Sequence, residues 1–210
     1  MNETASDSRR KRSYDPEGTR RRVLDVAAEA FQSRGYQATG MHELMREAGV
    51  TGGALYHHFP TKKALGLAVI RDRVAAEVEE TWIKPVRTAP DAIEGIAAVF
   101  ERIAAGLRRR GAVSGCPLNN LVLELALADP DFREAMDSVF EAWRSAIAAR
   151  LRADQEAGRL AAADADELAA FIVAAYSGAM AQAKARQDAA PLEACARQLM
   201  RCLEGLRTGA

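Results

Sequence analysis

The chain has 210 residues, of which 49% are hydrophobic, 28% charged and only 6% aromatic, and 29 Lys and Arg balance 29 Asp and Glu. That is enough for one large domain or two modest ones, with ample apolar material for a core. The opening residues lack an apolar stretch and no run of about 18 apolar residues occurs, so the expectation is no secretory leader, no membrane span and a reducing cytoplasm.

Three widely spaced cysteines, Cys116, Cys195 and Cys202, suggest neither a disulfide framework nor a metal site, and no cofactor is expected. Residues 1–63 carry 11 Lys and Arg against 8 Asp and Glu, and the remainder carries 18 against 21. A basic first third before an acidic remainder fits nucleic-acid contact at one end. Abundant alanine and little strand-like alternation predict an all-α protein.

Residues 1–14, MNETASDSRRKRSY, are expected to form a disordered basic arm. Arg9, Arg10, Lys11 and Arg12 read either as a solvated tail or as an arm reaching phosphate or a minor groove. A first helix starts at Asp15-Pro16-Glu17, with Thr19 as a competing cap, and ends at Gly35. Val23, Leu24, Ala27, Ala30 and Phe31 form its apolar side. Arg20, Arg21 and Arg22 lie in its first turns, where positive charge opposes the helix dipole unless an anion sits nearby.

The stretch QATGMHELMREAGVTGGALYHHFPTKKAL, residues 37–65, predicts two short helices and the start of a third. Met41, Leu44, Met45 and Ala48 share one face of the first, with Thr39 as its capping candidate and Gly49 as its left-handed end. Thr51 caps the second, and Pro60 closes it. On a helical wheel Ala54, Leu55, His58 and Phe59 face inward, while Gly52, Gly53, Tyr56 and His57 face outward. Two glycines in a first turn cost helix stability, and close approach of another backbone is one reason to keep them. A helix-turn-helix inserting this tip into a major groove gives that reason. A simple helical corner is the plainer alternative.

Thr61 caps a further helix reaching about Ile83, where Lys84-Pro85 is expected to break it. Lys62 and Lys63 at its N-terminus suit a phosphate. Later helices are predicted from Pro90-Asp91 to Arg110, from Cys116-Pro117 to near Asp129, and from Pro130 to about Glu156. Two more follow, from Asp164 or Asp166 to Gln187 and from Pro191 to Leu206. The count is nine.

RRRVLDVAAEAFQSRGYQAT, the turn AGV and TGGALYHHFPTKKAL together resemble the DNA-binding domain of the TetR/AcrR family of bacterial transcriptional regulators. The likeness covers roughly residues 19–67. Lys63 departs from it, because the family more often has an acidic residue there. The resemblance implies a two-domain regulator: a helix-turn-helix domain over residues 15–63, and an effector-binding and dimerisation domain over residues 64–210. It also implies a homodimer, and repression of operator DNA relieved by a small-molecule effector.

On that basis Arg20, Arg21, Thr39, Thr51, Tyr56 and Lys62 are expected at DNA phosphates, with Gly52, Gly53 and His57 nearest the bases. Trp82, Phe100, Ile103, Leu107, Leu121, Phe140, Trp143 and Tyr176 are candidates for an apolar effector cavity, each also readable as plain core. Cys116 and Asn119 in GCPLNN belong to the same candidate set. Cys116 reads either as a thiol sensor at a helix start or as a small buried residue. Phe171, Ala175 and Met180, with Leu199, Leu203 and Leu206, form two apolar stripes suited to a four-helix dimer interface or to ordinary core. No nucleophile elbow, phosphate loop, metal cluster or triad points to an enzyme.

Overall fold

A computed structural model describes residues 15–208; the expected basic arm lies outside them. Nine helices occur among the described residues. They are α1 (Pro16–Arg34), α2 (Met41–Glu47), α3 (Gly52–His58), α4 (residues 62–88), α5 (Ala92–Arg110), α6 (Pro117–Leu125), α7 (Pro130–Glu156), α8 (Ala165–Arg186) and α9 (Ala190–Glu204).

Side-chain caps fix most of the starts. Asp15 accepts from the Gly18 amide, Thr51 from Ala54, Thr61 from Ala64, Asp91 from Glu94 and Asp129 from Asp131. Asp164, rather than Asp166, caps α8, accepting from the amides of Asp166 and Glu167. Each such cap is worth about 1 kcal/mol. Thr39 is not a cap: Gly40 holds that position, and Thr39 is fully buried with its hydroxyl donating to the Gly35 carbonyl.

Pro85 does not end α4. The helix widens into π turns at Ile70–Val74 and Glu79–Ile83 and runs on to Thr88. The Lys84 amide bonds five residues back, to Glu79. Pro85 has no amide to offer the Thr81 carbonyl, and Arg102 donates to that oxygen from α5. A side chain from a neighbouring helix thus satisfies the group that proline orphans.

The C-terminal core is built around α8, which packs on α7 and α9. Over 18 residues α8 reaches a mean hydropathy of 1.2, but Ile172, Val173, Tyr176 and Met180 are buried within the chain. The far end is tied by charge. Asp154, fully buried, accepts the Ala92 amide at 2.6 Å and Arg159 at 2.5 Å, and Arg207 bonds Asp91 at 2.8 Å. Those partners offset the cost of removing a carboxylate from water.

Candidate nucleic-acid interface and ligand cavity

Helix α3 presents the two faces expected of it. Leu55 and Phe59 are buried, while Gly53, Tyr56 and His57 are exposed and Gly52 is half-buried. A methyl group added at Gly53 would meet nothing within 4 Å, and at Gly52 only the Met45 sulfur at 3.6 Å. Among the described residues nothing requires glycine at either place. Thr51, Gly53 and His57 border an open groove with Thr19 and Arg22 of α1. Arg22 and Thr19 belong to this face, although the sequence pointed first to Arg20 and Arg21. One turn of α1 separates residues 19 and 22, which is the signal that could have placed them together.

Three residues expected at phosphate are occupied otherwise. Arg20 pairs with Asp72 at 2.5 Å and lies over the Phe59 ring. Lys62 donates to the Gln37 carbonyl at 3.2 Å and sits 4.5 Å above the Tyr36 ring; burial pushes its pKa down. Thr39 is buried, as described. Arg21 and Tyr56 remain exposed.

Lys63, the residue that departs from the family pattern, bonds Asp129 at 2.7 Å and Asp131 at 2.8 Å. These bonds raise its pKa and lower that of Asp129. It therefore joins the start of α4 to the start of α7. Tyr36 lies at the centre of the same junction, edge-on to Phe31 and Phe132 at 5.1 Å each. Gly66 leaves room for both: a methyl there would come within 2.7 Å of Tyr36 and 2.9 Å of Phe132.

Helix α6 crosses from this junction to an aromatic cavity. Its Glu124 carboxylate accepts the amides of Tyr36 and Gln37, and the carbonyl of Gly115, just before its start, accepts Gln32. At the other end Cys116, Pro117 and Leu118 line a cavity of about 20 Å³ with Val74, Glu77, Val78, Thr81 and Trp82 of α4, Trp143 of α7 and Tyr176 of α8. Phe100 packs edge-on to Trp82 and Tyr176, and Phe140 stacks on Trp143.

Of the other cavity candidates, Leu107 and Leu121 are core and Ile103 packs against it without lining the space. Asn119 turns away to donate to the Ser177 carbonyl. Cys116 is 6% exposed, and burial pushes its thiol up to about 11.

The apolar stripes of α8 and α9 divide. Met180, Leu199 and Leu203 are buried inside this chain and offer nothing to a second copy. Leu206 and Ala175 are half-buried. Phe171 is 51% exposed, on a face with Ala174, Gly178 and Ala181.

Residues 23–69 match the family model for bacterial regulatory proteins of the tetR family, and residues 92–198 match that for the LmrA/YxaF-like transcriptional regulator C-terminal domain. The transcriptional regulator AcuR of Cereibacter sphaeroides is 31% identical over 179 residues, 83% of this chain and 80% of its own length. The transcriptional repressor NemR of Escherichia coli is 26% identical over 176 residues, 83% and 88% respectively. A TetR transcriptional regulator from Chloroflexus aurantiacus has a TM-score of 0.81 at 29% identity, over 91% of this chain and 97% of its own. With its reading head and its C-terminal domain both matched, this chain belongs to the TetR family of transcriptional regulators.

Proposed function

We propose that this protein is an effector-responsive repressor: a homodimer whose paired α3 helices read a palindromic operator and release it when a small apolar molecule occupies the aromatic cavity. The observation that carries this reading is α6, which lines the cavity at Cys116 and holds the α1–α2 loop through Glu124. A ligand that favours one position of α6 biases the reading head, provided it binds that conformer more tightly than the DNA-bound one. Residues 15–63 would then be the reading unit and residues 64–210 the effector-binding and dimerisation unit.

DNA contact is supported by the glycine pair. Open space before Gly53, and only the Met45 sulfur near Gly52, admit a close neighbour from outside the chain, and the positive end of α3 faces the same way. Repression follows the relative NemR, whose name describes a repressor. The exposed apolar face around Phe171 supports dimerisation. A dimer that reads a palindrome must hold its two α3 tips about 34–36 Å apart, the spacing of successive major grooves.

Thiol sensing through Cys116 is the alternative reading. It is disfavoured because a buried, protonated thiol is a poor nucleophile. The test is binding to a duplex selected from random sequence, measured against salt. Arg21→Ala and Arg22→Ala should each lower the salt slope by about one. Failure to enrich any duplex would overturn the reading.

A further inference from the structure

Trp82 and Trp143 are 2% and 0% exposed; among the described residues the buried Trp143 indole N–H has no hydrogen-bond partner, and that of Trp82 has only the Tyr176 hydroxyl beside it, short of full hydrogen-bond geometry. Their rings lie 5.0 Å apart, and both pack on Tyr176. Both line the cavity, whose 20 Å³ holds about one water molecule. A buried donor without a partner loses its hydration and regains nothing, so the indole pair beside the cavity carries an unmet demand for an acceptor.

The lining has no Lys or Arg. Its one carboxyl, Glu77, stands at the rim with part of the side chain in solvent, and the apolar wall beside it pushes its pKa up. A carboxylate ligand would therefore be buried with no counter-charge, at heavy cost.

We propose that the cavity takes a neutral, largely apolar molecule bearing an acceptor oxygen, such as an aryl ketone, whose oxygen accepts from the Trp82 and Trp143 indole N–H groups. The proposal rests on reading this cavity as the effector site, and names the chemistry of that effector. Because 20 Å³ holds only about one water, the lining must move apart to admit the apolar body. The gain over a hydrocarbon of equal shape is the pairing of donors that stay unmet when the site is closed.

The chain has two tryptophans, and both line this cavity. Full-length ¹⁵N-labelled protein therefore gives two indole resonances, each reporting on the site. Acetophenone, its hydrocarbon isostere α-methylstyrene, and benzoate are titrated in turn. Acetophenone should move both resonances downfield and bind about tenfold tighter than α-methylstyrene, towards the low end for two net hydrogen bonds. Benzoate should move neither.

Equal binding of ketone and hydrocarbon, or ketone binding with both resonances unmoved, overturns the acceptor proposal and leaves an apolar effector site standing. Silence from all three probes removes the effector site, and the proposal with it. Trp143→Phe keeps a ring but loses one of the two donors, and should reduce the ketone's advantage to about threefold in calorimetry. An advantage undiminished in that variant excludes Trp143. If the variant does not fold, the wild-type resonances decide.

Discussion

The Glu124 carboxylate accepts the backbone amide of Tyr36 at 2.8 Å and that of Gln37 at 2.5 Å. One side chain at the end of α6 thus holds two consecutive amides of the loop that leads into the reading head. The nine residues of α6 span about 13 Å, so the cavity and this grip are the two ends of one short lever. Gly35, at φ +90, lets the loop pass close to the carboxylate; a methyl there would lie 3.3 Å from it.

Glu124→Gln keeps the size and loses the charge. One amide of the loop would face the carboxamide NH₂ instead of an oxygen. Thermal or urea unfolding should show a loss of about 1–3 kcal/mol, the range for a charged hydrogen bond to backbone. Stability unchanged within a few tenths would remove Glu124 from the junction.

Gly53→Ala separates folding from reading. Alanine in a helix is favoured over glycine by roughly 0.5–1 kcal/mol, and no atom of the described residues stands in its way. The variant should unfold at higher urea and bind operator more weakly. Unchanged DNA affinity would mean that no backbone approaches that tip.

Much of this architecture is legible in the residues, because caps and breakers act locally. Asp91, Asp129, Gly111 and Gly158 mark helix ends that the structure repeats. Pro85 misled because the remedy lies elsewhere in the chain: Arg102, on another helix, completes its hydrogen bonding. Lys62 shows the same dependence on distant partners. Its position at a helix start suits an anion, yet the Tyr36 ring and Gln37 carbonyl, distant in sequence, hold it. The stripes of α8 and α9 have the right period, but period alone does not tell an intrachain partner from a second copy. Burial of Leu199 and Leu203 gives them to the chain's own core.

That assignment has a consequence for dimerisation. Phe171→Glu places a charge on the exposed face and should yield a folded monomer with native helicity. Leu199→Arg should instead unfold the protein, since an unpaired charge would enter the core. Light scattering and circular dichroism together distinguish these outcomes. A soluble Phe171→Glu dimer would place the interface on another face.

Cys116 makes stability depend on alkaline pH. Its thiol titrates at about 11 in the folded protein, against an ordinary value of 9.0. Below pH 9 both states hold the proton and the full stability is present. Between 9 and 11 the unfolded chain releases it first, so stability falls, by roughly 2–3 kcal/mol at the upper end. Tyr176, also pushed up by burial, adds to the fall. Cys116→Ala should flatten the slope over that window. Identical slopes in wild type and variant would show that Cys116 is not desolvated.

The proposed coupling puts the aromatic cavity and the DNA-reading face on one equilibrium. Coupling between sites is reciprocal, so DNA alone should be felt in the cavity. Both tryptophans lie there, and their emission can be followed while selected operator duplex is added to full-length protein. The account predicts a saturable shift in the emission maximum, with the midpoint of DNA binding, that is lost or much reduced in Glu124→Ala at saturating duplex. Tight operator binding with emission unchanged in the wild type would contradict it.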